Sequence, residues 1–536
     1  MAERFEHHAR TVSLLTLLSR ITGLARDATL SRVFGAGPLM DAFFFAFLIP
    51  NLFRRLFGEG ALSAALLPVY TKLESHDPEA ARATASLLIS RAALWLGAVT
   101  LVGEAVLLVI SLVGEHANPA VWLMIIMLPY MPLVCLVALL GAMLQVHGRF
   151  GPTAAAPVIL NLAIIGAAVA GVYLAVGERD ADANADALID GRLLHIGAVA
   201  GSVILAGVAQ LLWSMRALRG TGWWTRKTDP GRPHARQVLA TAGPMILGLG
   251  VLQLNTLFDG VIASYPTTVG QTIAGITYPL ETGAMAAISF AQRLYQFPLG
   301  VFGIAIATAI FPLLARQADD ASAFADSLRR GLRLAVFIGL PASVGLMLVR
   351  EPLAMAVLQG GDFHADDARR VGFVLLGYAP AIWAYSLTHT LTRAFYARED
   401  SKTPVRVAMS VVGLNLALNC TLIWTPLREA GLAWSTSICA AIQAATLIII
   451  AHRRLGSLVD RAVVLSWART VALSAVMGAG VAVAAWWMPK AEQWSTAIWQ
   501  LAGLVILGSA IAALAAVSLG MAELRWALGT ARRRKK

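Results

Sequence analysis

The sequence predicts an all-α polytopic membrane protein with 14 transmembrane helices, built as two six-helix lobes plus two extra C-terminal helices. Three observations predict it: an excess of apolar residues, a lopsided placement of arginine and lysine, and an internal repeat. Of the 536 residues, 58% are hydrophobic and 14% charged, against about 25% charged in an ordinary soluble domain. Apolar runs recur from Val12 to Gly520, each near the ~20 residues that a bilayer-spanning helix needs.

Fourteen candidate spans follow from these runs: 12–34, 42–70, 87–113, 120–146, 153–174, 194–215, 238–264, 278–314, 331–349, 371–396, 404–422, 430–451, 466–487 and 496–519. The segment before the first is charged and lacks a signal-peptide cleavage pattern, so the first helix is expected to stay. Spans 42–70 and 278–314 are long and interrupted by glycine and proline, which predicts bending.

Loop charge orients the chain. With the first segment cytoplasmic, alternate loops and the span ends adjoining them carry 28 basic residues on that side and seven on the other, as the positive-inside rule requires. An odd miscount would scramble that ratio. Both termini are therefore expected in the cytoplasm. The formal charge of +12 belongs to these loops and to the tail Arg532–Lys536, which suits anionic lipid headgroups and no nucleic acid.

The repeat supplies the architecture. Ala61–Lys72 (ALSAALLPVYTK) aligns without gaps to Ala305–Arg316 (AIATAIFPLLAR), through Pro68 and Pro312. A second echo pairs Gln145–Asn161 with Ala397–Asn415. Each has a short basic loop, a proline opening a span (Pro152, Pro404) and an asparagine inside it (Asn161, Asn415). Six spans per repeat is an even number, so the halves keep one orientation about an axis along the membrane normal. The expected domains are an N-lobe (1–218), a basic cytoplasmic linker (219–237), a C-lobe (238–452), helices 13 and 14 (453–520) and a basic tail (521–536).

The candidate site comes from charges placed where they are costly. Arg20, Arg26, Arg54, Arg55 and Arg293 fall inside spans, at roughly 2.5–3.5 kcal/mol each near a helix centre. Pairs on one helix face are available for two of them, Arg20 with Asp27 and Arg55 with Glu59. The arginines still outnumber the nearby carboxylates Asp27, Asp41 and Glu59. A cationic cavity implies an anionic ligand, and the guanidinium fork suits phosphate oxygens. Gly23, Gly35, Gly58, Pro298 and Gly303 crowd the same spans, as a moving gate would require. Asp259 is a further costly charge and a candidate ion site. Cys135, Cys420 and Cys439 lie in apolar runs without metal-ligand spacing and read as small core residues. The sequence holds no nucleotide-binding loop, metal motif or nucleophile elbow. No cofactor, metal or enzymatic activity is expected, and transport energy would come from a coupling ion or the membrane potential.

The stretch SRITGLARDATLSRVFGAGPLMDAFFFAFLIPNLFRRLFGEGALSAALLPVY (Ser19–Tyr70) closely resembles the opening of the MurJ (MviN) family of lipid II flippases. AQRLYQFPLGVFGIAIATAIFPLL (Ala291–Leu314) resembles that family's eighth-helix motif, and EDSKTPVRVA (Glu399–Ala408) its tenth-to-eleventh loop. The resemblance implies the multidrug/oligosaccharidyl-lipid/polysaccharide exporter superfamily, with lobes that alternate access and a lipid-tail groove at helices 13 and 14. It implies a multi-pass protein of the bacterial inner membrane that moves lipid II outward. Arg20, Arg26, Arg54 and Arg293 are then expected to bind the headgroup. Ser19, Gly23, Asp27, Asp41, Arg55, Glu59 and Gln296 would gate or support the site, with Asp41 at the periplasmic end. Gln296 departs from the glutamate of some relatives, and the segment between Tyr265 and Ile288 is longer than usual. Lipid II, membrane lipids and cell-wall synthesis proteins are the partners implied. The alternatives are a flippase for another polyprenyl-pyrophosphate glycan of O-antigen type, and a non-transporting scaffold docked through its basic loops.

Overall fold

The computed structural model describes residues 2–58, 61–113, 118–176, 185–456 and 458–527; Glu59 and the tail beyond 527 lie outside them. Among the described residues the elements are helical apart from one hairpin of two two-residue strands. Among the described residues, nine helices are long and apolar enough to cross a membrane, or ten with one bent pair counted as a span. The five remaining candidate spans are those at 12–34, 42–70, 238–264, 278–314 and 371–396. Spans 42–70 and 278–314 are each divided into two shorter helices, and four of the five hold the costly charges Arg20, Arg26, Arg54, Arg55, Asp259 and Arg293.

The chain forms two compact units, Met1–Ala286 and Ala287–Lys536. The first unit begins with α1 (Ala2–Phe34), α2 (Pro38–Phe53), α3 (Ala61–His76), α4 (Pro78–Val113), α5 (Pro119–Met127) and α6 (Tyr130–Val146). It continues through α7 (Gly151–Val176), α8 (Ala185–Ala217), α9 (Arg232–Thr268) and the antiparallel pair β1 (Thr272–Ile273) and β2 (Ile276–Thr277). α9 packs on α2, α3 and α4, so the compact boundary falls after Ala286, whereas the sequence sets the lobe boundary at 237/238. Leu66, Tyr70, Leu140, Met143, Leu218 and Val238 form the core here. The basic linker is docked: Thr225 N–H donates to Ser86 Oγ (2.9 Å). At Gly231 a Cβ would meet the backbone of Ala83 and Thr84 at 2.3–2.7 Å, so only glycine fits against α4 there.

The second unit takes in α10 (Ala284–Pro298), whose first turn closes the first unit, then α11 (Ile304–Arg316), α12 (Ala321–Leu358), α13 (Ala365–Tyr378) and α14 (Ala381–Ala397). α15 (Lys402–Leu422), α16 (Ala430–Leu455), α17 (Arg461–Trp487), α18 (Trp494–Ser518) and the short α19 (Ala522–Ala527) complete it. Phe324, Leu328, Leu332, Leu391 and Leu447 form its core. The two appended helices lie on α12 through Val349, Met477, Val481 and Leu504. Ion pairs tie their ends to α12: Arg329 to Asp460 (3.4 Å) and Arg333 to the buried Glu523 (2.7 Å).

Both long repeat spans are broken in the same way. α2 runs into a π-helical segment, Arg54–Gly58, and α10 into another, Leu299–Gly303. Each follows a proline inside its helix, Pro50 or Pro298, which removes a ladder donor and crowds the carbonyl of residue i−4. Each interruption is a local wide turn. At Gly303 a Cβ would meet Ser386 Oγ at 2.7 Å, so the second wide turn also depends on close approach to α14. Cys135 and Cys439 are buried, but Cys420 is exposed on α15 and not a core residue.

Candidate functional site

The first cluster forms on α1 and is held by α7. Arg26 is 7% exposed and Asp27 2%. Arg26 donates from Nε (2.9 Å) and Nη2 (2.6 Å) to Asp27 Oδ1, and from Nη1 to Asn161 Oδ1 (3.1 Å). Asn161 in turn donates from Nδ2 to Ser19 O (3.3 Å) and Thr22 Oγ1 (3.1 Å). One amide therefore aims a guanidinium and stitches α7 to two successive turns of α1. A buried pair is tolerated when its remaining donors and acceptors are satisfied, and Asn161 does that.

This corrects one expectation. Asp27 pairs with Arg26, its neighbour in sequence, and not with Arg20 seven residues away. The carboxylate lies inside the α1–α7 contact, where Arg26 also points. Arg20 is exposed and makes no hydrogen bond or ion pair among the described residues. Ser19 is half-buried, and Gly23 is buried inside an uninterrupted α1. A Cβ at Gly23 would make only ordinary contact with Asn161 at 3.5 Å, so neither bending nor space explains that glycine. Gly35 does have a backbone reason, since its φ of 71° ends α1 in the left-handed region.

Arg54 and Arg55 are half-buried in the first π segment. Arg54 donates from Nε (3.1 Å) and Nη2 (2.8 Å) to Asn51 Oδ1, a partner on its own helix. The Arg55–Glu59 pair falls outside the described residues. Asp259 is buried on α9. Among the described residues no three His, Cys, Asp or Glu side chains could hold a metal ion together.

Asp41 is fully buried near the start of α2 and acts as a cap in trans. Its Oδ2 accepts from Thr267 Oγ1 (2.7 Å) and Gly283 N (2.5 Å), and its Oδ1 from Ala286 N (2.8 Å). The first N–H groups of a helix lack internal partners and carry partial positive charge, and α10 begins at Ala284. One carboxylate therefore fixes the end of α9 and the start of α10 to α2. The long segment between them is ordered around it. Tyr265 and Tyr278 stack with ring centroids 4.4 Å apart, and Asn118 Nδ2 donates to Thr268 O (2.7 Å).

In the second unit, Arg293 and Gln296 lie three residues apart on α10, and both are exposed. Sequence reasoning missed three partners: Asn161 for Arg26, Asn51 for Arg54, and the Thr267, Gly283 and Ala286 donors for Asp41. Two of these had a signal. An asparagine inside an apolar span must find a partner, and Asn51 precedes Arg54 by three. The donors to Asp41 left none, because two are backbone groups.

A family model described as "Lipid II flippase MurJ" matches residues 30–504. A Vibrio cholerae protein named "Probable lipid II flippase MurJ" is 35% identical over 463 residues, covering 81% of each chain. A Rhizobium tropici protein of the same name is 32% identical over 482 residues, covering 87% of this chain and 85% of that one. The fold matches a solved structure described as "Lipid II flippase MurJ, inward closed conformation" with a TM-score of 0.74 at 20% identity, covering 94% of this chain and 97% of that one. It also matches an inward-facing multidrug resistance transporter of the MATE family, with a TM-score of 0.63 at 14% identity over 84% of this chain and 99% of that one.

Proposed function

The chain belongs to the MurJ family of lipid II flippases, and from that premise we propose that it carries lipid II from the cytoplasmic to the periplasmic leaflet of the bacterial inner membrane by alternating access. It is an integral membrane protein of many spans. In this reading it has fourteen of them, with both termini in the cytoplasm, supported by the 28-to-7 division of basic residues between alternate loops with their adjoining span ends.

Arg20, Arg26, Arg54 and Arg293 bind the pyrophosphate and other anionic groups of the headgroup. The observation that carries this is Arg20: a full charge on a membrane helix, exposed and without a partner among the described residues. Such a charge is retained where water or an anion meets it. Arg26 acts differently, as a guanidinium already aimed by Asp27 and Asn161. Asp41 holds the outer gate by capping α10, and its release frees that helix to move. The undecaprenyl tail stays in lipid along α17 and α18. The cycle draws on a coupling ion or the membrane potential and makes or breaks no covalent bond.

The test is translocation of fluorescent lipid II by reconstituted protein, wild type against Arg20→Ala and Arg293→Ala. Both variants should translocate at least tenfold more slowly while melting normally. Full activity in both would remove the cationic site. A preference for an O-antigen-type lipid over lipid II would replace the substrate.

A further inference from the structure

Beside the stripe of α10 that carries Arg293, the helix is held to Tyr378. Gln292 Nε2 donates to Tyr378 Oη at 3.0 Å. The ring of Tyr295 stacks on the same tyrosine with centroids 4.8 Å apart and planes within 9°. Gln292 and Tyr295 are three residues apart and so share a stripe of α10. Arg293 and Gln296 share another stripe, and both are exposed while Tyr295 and Tyr378 are buried. Phe290, packed edge-on against Phe363 at 5.9 Å, fixes the preceding turn.

Tyr378 has a particular place in the fold. It is the last residue of α13, directly before the Ala379–Pro380 break at which the span bends by 40° towards α14. Any change in that bend carries the tyrosine with it, and α10 is gripped there by both a hydrogen bond and a ring stack. A rotation of α10 about its axis turns the heading of Arg293 by the same angle, and residues one position apart head about 100° apart, so labelling at neighbouring positions reports it.

We propose that Tyr378 is a positioning residue for Arg293. Through Gln292 and Tyr295 it fixes the rotation of α10, and so links the α13–α14 bend to the heading of a headgroup-binding cation. The proposal rests on the headgroup role assigned to Arg293 above, but the rotation itself is measurable without substrate.

The experiment uses a full-length protein freed of native thiols (Cys135→Ala, Cys420→Ser, Cys439→Ala) with one reporter at a time, Gln296→Cys or Leu294→Cys. Labelling by a membrane-impermeant maleimide should be fast at 296 and slow at 294, which is 4% exposed. Tyr378→Leu should collapse that rate ratio about tenfold, as loss of both grips allows. Tyr378→Phe keeps the ring and loses the hydrogen bond, so the ratio should fall by about threefold. Adding Gln292→Leu to Tyr378→Phe should then change nothing, since both remove one interaction.

An unchanged ratio in folded Tyr378→Leu overturns the proposal. If that variant does not fold, an unchanged ratio in Tyr378→Phe does so instead. Fluorescent lipid II binding separates the two readings. Tyr378→Phe should weaken it about threefold in wild type and not at all on top of Arg293→Ala. If Arg293→Ala alone binds like wild type, the headgroup assignment fails, while the labelling result still decides the rotation.

Discussion

The two asparagines in the second repeat echo lie in corresponding spans and do different work. Asn161 on α7 reaches across to α1, where it accepts from the buried Arg26 and donates to Ser19 and Thr22. Asn415 on α15 has neutral company: it accepts from Asn419 (3.0 Å) and donates to Ser435 (3.3 Å), and Ser435 also bonds Asn419. The loops preceding α7 and α15 repeat the contrast. Arg149 donates to the carbonyls of Ala217 and Arg219 just past the end of α8. In the other half the carboxylate is on the loop and the arginine on the helix, Asp400 with Arg454 at the end of α16. The repeat conserves where an element must be fastened and leaves the chemistry of the fastener free. A sequence duplication therefore gives no reason to expect two equivalent binding sites.

The contrast between a charged and a neutral asparagine network can be broken most sharply at Asp27. Asp27→Ala leaves Arg26 buried without its counter-ion, at a cost of roughly 3–5 kcal/mol. The melting temperature in detergent should fall steeply, and Arg26→Met in the same chain should restore most of it without restoring flipping. Wild-type melting of the single variant would show that Arg26 is hydrated. Asp41→Asn comes next. Its three donors bond a charged acceptor, worth roughly 1.5–3 kcal/mol each at most, and the amides of Gly283 and Ala286 should exchange hydrogen faster. Unchanged exchange there would remove the gate role.

Asn415→Leu probes the neutral network, with a smaller loss of about 1–3 kcal/mol. Combined with Asn419→Leu the losses should be less than additive, because the two residues share one network. Additive losses would dissolve that network.

The smallest effect is in the loop before α15. Hydrogen bonding from the Thr403 side chain, helped by its amide and by Arg454, holds the Asp400 carboxyl at about 2, below its ordinary 3.8. A lowered folded value stabilises above the unfolded one and fades as pH falls through the folded one. Thr403→Val should therefore melt slightly lower at neutral pH, with the gap closing as pH drops from about 4 towards about 2. A gap independent of pH would assign the loss to packing.

Much of the architecture was legible in the chain. Apolar runs gave a helical membrane protein, and glycine and proline inside spans 42–70 and 278–314 marked the two spans that the structure interrupts with π turns. The arginines stood out because their cost is a property of the residue alone. Their partners did not: spacing along one helix face pairs Asp27 with Arg20, whereas the structure pairs it with its neighbour Arg26 in the contact with α7. The packing of α9 with the first unit depends on side chains of α2, α3 and α4, which no periodicity within α9 reports. Asp41 looked like a gate residue by resemblance, yet its partners are largely main-chain amides, invisible to any scan for charged pairs.

The wide turn at Leu299–Gly303 has one more consequence. It sits without interruption between α10 and α11, and an i→i+5 loop accommodates one residue more than a regular turn would. A helical wheel drawn continuously from Ala284 to Arg316 is therefore out of phase beyond Gly303 by about 100°. Stripes that look continuous on paper are offset in space, and substitutions meant for one flank of α11 will land on another unless the wheel is restarted at Ile304.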